Sequence, residues 1–245
     1  MTLTRITFER KDGVYPRLES AAEKIAEFLY AYKSRIQEFC DLMRISSNWS
    51  KSNYKNELAK WASVTKGRRK KSVAPDTEQL VVSAYLFFDT CQDNQEIKKM
   101  RGLVPEKLVE KIFLLRYNGK TSNKGFGALV TLDKKDIKYI CEAPYDKGPE
   151  DSDKNRQTVD AGAWDGKKGE FIEVKFNPEA FHTKDIRYLR LLASELKNKE
   201  LNHSIYLIAM DDKNLTEQRL KHLDLWESGE FILVGREEIF ELQTG

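Results

Sequence analysis

Thr158 to Phe176, TVDAGAWDGKKGEFIEVKF, is the stretch on which the reading of this chain turns. Gly166 and Gly169, with Asp165, Lys167 and Lys168, make a polar turn between two β-rich runs, which is a hairpin signal. In the second run Phe171, Glu173 and Lys175 share one face, and Ile172, Val174 and Phe176 share the other. Asp160 stands in the first run, with twelve residues between it and Glu173. Two carboxylates and an ammonium at this spacing suit the hydrolysis of a phosphodiester. The carboxylates are hard oxygen ligands for a divalent cation. The lysine orients a water, or as the neutral amine deprotonates it, and as an ammonium neutralises phosphate charge.

Strand register provides an internal test. If Asp160 shares a face with Glu173 and Lys175, the residue numbers of each opposed pair must sum to an odd value, as Asp160 with Glu173 does. A slip of one residue would set Asp160 against Val174 and send the carboxylates to opposite faces. Asp165 is a rival for the aspartate role, but it falls in the turn. The competing reading is a solvated strand face with a surface Glu/Lys pair, worth little energetically.

Outward from the hairpin, the chain alternates helical and strand-like patterns. Val104 to Tyr117 follows a break at Gly102, carries Pro105 at a helix-opening position and has an apolar stripe through Leu108, Val109, Ile112, Phe113 and Leu115. Phe126–Leu132 and Ile137–Ala143 read as strands around the turn Asp133-Lys134-Lys135-Asp136. Pro144 to Gln157 is a charged loop without periodicity, and a loop of that length beside a site is often functional. Glu179–Lys199 reads as a helix, Ser204–Ala209 as a strand, Leu215–Trp226 as a helix and Phe231–Val234 as a last strand. The order predicts an α/β fold, a mixed sheet flanked by helices.

The pattern D-x(n)-E-x-K across two strands, with this element order, resembles the PD-(D/E)XK nuclease superfamily over about Gly102 to Met210. Val159 stands where the name-giving motif has Pro. The resemblance implies a restriction-endonuclease-like core in which Asp160 and Glu173 hold Mg²⁺, or Mn²⁺ in its place, with the Val174 carbonyl as a further ligand. Lys175 would position the attacking water. The helix before the sheet often offers another carboxylate, for which Glu106 is the closer match and Glu110 the runner-up. A first-turn glutamate that complements the helix dipole explains Glu106 as well. The implied substrate is DNA, with RNA left open, in prokaryotic restriction or phage defence. A homodimer follows from one site opposing one strand, and the chain also suits a partner subunit of a defence system. The alternative is a non-catalytic nucleic-acid-binding or regulatory protein on a nuclease-like core.

The rest of the chain divides by charge. Residues 1–75 hold 16 Lys and Arg against 8 Asp and Glu, whereas residues 76–245 hold 26 against 31. This predicts a helical basic N-terminal region ahead of the nuclease core. Leu18 to Arg44 has the spacing of one long amphipathic helix, with a candidate capping box at Ser20 and Glu23. Lys55–Ser63 and Thr77–Thr90 read as further helices. In the run Lys66 to Lys71, Arg68, Arg69, Lys70 and Lys71 are candidates for phosphate contacts, against the simpler reading of a solvated linker.

Cys40, Cys91 and Cys141 are an odd number, widely spaced, which argues against a disulfide framework or zinc site and for a reducing cytoplasm. The opening residues lack the apolar segment of a signal peptide, and the longest apolar run, Leu80–Phe88, is too short to span a membrane. Asn118-Gly-Lys-Thr121 imitates the end of a phosphate-binding loop, but Leu114 occupies the position where the motif requires Gly.

Overall fold

The computed structural model describes residues 6–67, 74–121, 123–141 and 155–244. The chain forms two compact units. One comprises Met1–Gly13 with Phe113–Gly235, and the other Val14–Ile112 with Arg236–Gly245. The division therefore does not fall at residue 75, because the N-terminal segment pairs into the sheet and the helix after residue 75 packs among the N-terminal helices.

Among the described residues, the first unit is built on a seven-stranded mixed sheet. Its strands are β1 (Ile6–Arg10), β2 (Lys124–Leu132), β3 (Lys135–Asp136), β4 (Thr158–Trp164), β5 (Lys168–Lys175), β6 (Asn202–Ala209) and β7 (Ile232–Val234). The order is β1-β2-β4-β5-β6-β7, with β3 on β2. Pairs from β1 to β5 are antiparallel, and β5, β6 and β7 run parallel. The parallel steps need crossovers, supplied by α6 (Thr183–Asn198) and α7 (Lys213–His222). β4 is buried along its whole length and β5 everywhere but its ends. A strand covered on both sides has no solvated face, so the surface-pair reading of Glu173 and Lys175 does not hold. Phe171, Ile186, Leu189, Leu192, Leu207 and Leu233 lie in the core that α6 shares with the sheet.

Two features of this unit depart from the expectations of the sequence. The first strand, β1, lies in a segment expected to be helical. The described residues of the expected strand Ile137–Ala143 form no strand, and residues 142 and 143 lie outside the described residues. β3 is instead Lys135–Asp136, inside the expected four-residue turn, and follows a two-residue turn with Asp133 and Lys134 both at positive φ. Beyond it, Tyr139 forms an isolated bridge with Arg156.

The second unit is helical: α1 (Pro16–Ala31), α2 (Ile36–Ile45), α3 (Tyr54–Gly67), α4 (Pro75–Thr90) and most of α5 (Asn94–Arg116). The single helix expected over Leu18–Arg44 is broken at Tyr32, which leaves helical geometry at φ −122° and ψ 65°. The break presents Arg35 to Asp76 at 2.7 Å and Glu38 at 2.8 Å. α1 opens at Pro16 rather than at a Ser20 cap. α5 runs without interruption through Gly102 and Pro105. An interior proline costs about 3 kcal/mol, and the burial of Ile97, Met100, Val104, Leu108 and Val109 along the helix offsets it. No helix among the described residues is long and apolar enough to cross a membrane.

Candidate active site

Asp160 arrives from β4, and Glu173 and Lys175 from β5. The pairs Ala161–Ile172, Gly162–Phe171, Ala163–Glu170 and Trp164–Gly169 all have odd sums, and this register sets Asp160 level with Glu173. The Val174 amide donates to Asp160 Oδ2 at 2.7 Å, so the aspartate is fixed by the backbone of the neighbouring strand. Lys175 Nζ lies 3.6 Å from Asp160 Oδ2 and donates to Glu173 Oε1. Glu173 is fully buried and Asp160 is 9% exposed. What the structure ties into the cluster from Val174 is its amide.

Three groups join these that the motif did not name. Arg156, just ahead of β4, donates through Nη2 to both oxygens of Glu173 at 2.9 Å and to Asp160 Oδ1 at 3.1 Å. Its Nε donates to the Thr158 carbonyl at 3.0 Å, and the backbone is held by reciprocal bonds with Tyr139 at 2.8 and 3.1 Å. Asp185, in the first turn of α6, lies 3.7 Å from Arg156 Nε and accepts the His182 backbone N–H at 3.0 Å. Tyr188, one turn on, is buried, and its hydroxyl has no hydrogen-bond partner among the described residues. Burial raises the Tyr188 pKa, with Arg156 lowering and Glu173 adding to it, and the three-residue spacing from Asp185 puts Tyr188 on the same side of α6. The sequence signals were slight: Arg156 closes the charged loop and Asp185 opens a helix.

Opposite Asp160, β2 is kinked at Gly127, whose φ is +52°. The Gly127 carbonyl accepts the amides of Lys11 and Asp12 at 2.9 and 3.1 Å. A Cβ at Gly127 would meet Asp12 at 2.8 Å, and Asp12 adds to the negative field on Arg156. The glycine is required here by the backbone geometry and by the close approach.

The electrostatics follow from dense charge in a dry place. Burial pushes Glu173 up, to about 7, against the opposing pull of Arg156, with Asp160 adding to the rise. Burial alone would lower Lys175, but Asp160 and Glu173 outweigh it and hold the ammonium above its ordinary range. Arg156 behaves likewise: burial lowers it, and Glu173, Asp160 and Asp185 more than reverse that. Both cations are therefore held charged, and Lys175 in this arrangement is a donor, not a base.

A second buried glutamate sits on the same strand. Glu170, 1% exposed, accepts from Arg116 at 2.8 Å, Tyr117 at 2.5 Å, Tyr206 at 3.0 Å and Lys168 at 3.1 Å. Its carboxylate is saturated with donors, which marks a structural tie between the end of α5 and the sheet.

The donor chemistry of Asp160 and Glu173 suits a hard divalent cation completed by water. The space between them is filled by the Arg156 guanidinium, and among the described residues no three His, Cys, Asp or Glu side chains are placed to hold a metal ion together. Glu106 lies on α5 in the helical unit, outside the unit that carries Asp160, Glu173 and Lys175. Arg68, Arg69, Lys70 and Lys71 lie outside the described residues. The phosphate-loop imitation ends in a turn with Gly119 at φ +71°, and Thr121 is bonded to the Trp164 carbonyl at 2.8 Å.

No family model and no curated protein matches the chain. Among solved structures it aligns with the crystal structure of protein VC1899 from Vibrio cholerae, at a TM-score of 0.48 and 13% identity. The alignment covers 99% of this chain and 57% of that one, so the chain spans little more than half of that protein's length.

Proposed function

We propose that the chain is a phosphodiester hydrolase acting on DNA, with Asp160, Glu173 and Lys175 as its catalytic residues. The observation that supports it is their convergence, in register, in a buried polar cluster on two central strands. Unlike the donor-saturated Glu170, this cluster leaves Arg156 and Lys175 within reach of solvent, and well-packed apolar residues often serve a core as well as buried charges do.

Asp160 and Glu173 would hold Mg²⁺ or Mn²⁺, which when bound supplies Lewis-acid polarisation of the phosphate and a water of lowered pKa. Lys175, held protonated, offers hydrogen bonds to the attacking water and to a phosphate oxygen, and balances developing negative charge. The Val174 amide keeps Asp160 oriented without the use of another side chain. The Val174 carbonyl is proposed as a further ligand. Arg68, Arg69, Lys70 and Lys71 are proposed as phosphate contacts. The biological setting that fits is cytoplasmic restriction or phage defence, with the chain as a homodimer or a partner subunit.

A second reading is favoured by the guanidinium that closes the cluster: a nucleic-acid-binding or regulatory protein on the same core without chemistry. Incubation with plasmid DNA in Mg²⁺, beside EDTA and RNA controls, separates the two. Nicked or linear plasmid only with Mg²⁺ supports the hydrolase. Intact plasmid in Mg²⁺ and Mn²⁺, with retained binding, supports the second reading.

A further inference from the structure

The most telling group outside the motif is Arg156. A cluster of Asp160, Glu173 and Asp185 in a dry site needs positive charge, and the fold provides it from within. Arg156 Nη2 bonds three carboxylate oxygens, both of Glu173 and one of Asp160. Those are the atoms a divalent cation would take. Each carboxylate oxygen has two lone pairs, so what sets a guanidinium against a metal ion here is the space between Asp160 and Glu173 that Arg156 Nη2 fills and the repulsion of like charges.

Accessibility adds a second observation. The side chains of Arg156 and Lys175 are 20% and 19% exposed, whereas those of Asp160, Glu173 and Asp185 are 6%, 0% and 2% exposed. The solvent-facing members of the cluster are thus its two cations. A third observation is the Tyr188 hydroxyl, one turn along α6 from Asp185, buried and without a partner among the described residues. A buried polar group left unbonded is costly and marks a place where a further ligand, such as a metal-bound water, completes the bonding.

We propose that Arg156 is a tethered counter-cation which competes with the divalent metal for Asp160 and Glu173, so that metal enters only as the guanidinium withdraws. Asp185, 3.7 Å from Arg156 Nε, keeps a partner for the withdrawn side chain. The inference rests on the metal-binding part of the hydrolase reading and deepens it. The metal-free protein keeps its buried carboxylates neutralised, and loading takes a higher metal concentration than at an open site.

The test is a calorimetric titration with Mn²⁺ of the full chain, its Arg156→Gln and Arg156→Lys variants and Asp160→Asn, with folding checked by circular dichroism. Arg156→Gln is expected to bind Mn²⁺ at least tenfold more tightly than the unaltered protein, Arg156→Lys to gain less, and Asp160→Asn to lose binding. In the unaltered protein the Arg156 Nε–H resonance is expected to move on saturation with Mg²⁺, a readout that needs no variant. Equal or weaker Mn²⁺ affinity in folded Arg156→Gln, or an unmoved resonance at saturation, overturns the competition while the metal reading stands. No Mn²⁺ binding by any of the four proteins overturns both.

Discussion

The two buried glutamates of β5 should lose stability to different degrees on truncation, and the difference separates structure from function. In Glu170→Ala the Arg116 guanidinium, whose side chain is 7% exposed, loses its carboxylate. Removing one partner of a buried ion pair costs about 3–5 kcal/mol. Tyr117 and Tyr206 lose acceptors in the same step, each worth about 1 kcal/mol where water does not replace it. The expected loss is therefore about 5–7 kcal/mol, a large part of the roughly 5–15 kcal/mol that holds a typical domain folded. In Glu173→Ala, Arg156 and Lys175 keep Asp160 and reach solvent, so the expected loss is smaller, about 1–2 kcal/mol.

Urea denaturation followed by circular dichroism measures both losses, and Glu170→Gln, which keeps an acceptor, should fall between the unaltered protein and Glu170→Ala. The pH dependence gives a further check. Burial would raise the Glu170 pKa, but the Tyr117 hydrogen bond and the Arg116 charge lower it below its ordinary 4.5. A group whose folded pKa is depressed lends stability above its unfolded pKa and loses it as the pH falls through the folded value. Acid unfolding below about pH 4.5 should therefore be shallower in Glu170→Gln than in the unaltered protein. A smaller stability loss in Glu170→Ala than in Glu173→Ala would refute the division of roles.

Asp160→Ala, Glu173→Ala and Lys175→Ala should each reduce Mg²⁺-dependent plasmid cleavage by about a thousandfold or more while the protein stays folded, as for an interaction made in the transition state; unchanged activity in folded Lys175→Ala would remove it from the mechanism. Replacing Arg68, Arg69, Lys70 and Lys71 with neutral residues should weaken DNA binding for all sequences and flatten the salt dependence by about 0.9 log unit for each phosphate no longer neutralised, and an unaltered slope would make the run a linker. Gly162→Ala would place a Cβ 2.3 Å from the Phe8 ring. That overpacking should cost about 1–3 kcal/mol and lower the melting temperature, and an unchanged melt would mean that Phe8 yields freely.

Much of this protein was legible before any fold was known. Alternation along Phe171–Lys175 and the glycines of the turn specified a hairpin, and the odd-sum condition stated which register would set Asp160 level with Glu173, the one that the strands adopt. These are local properties, written by a side-chain period of two and a short loop, and local physics reads them directly. The same holds for α3, α4 and α6, whose apolar spacing marks them within a few residues. What the tertiary structure alone decided is non-local. β1 is a strand because β2 offers it a ladder, and α5 crosses Pro105 because a run of buried side chains compensates for one missing bond. Arg156 carries no periodic signal, being the last charged residue of an aperiodic loop. Its place between Glu173, Asp160 and Asp185 depends on three segments meeting in space, and a charge takes its meaning from the partners that packing brings to it.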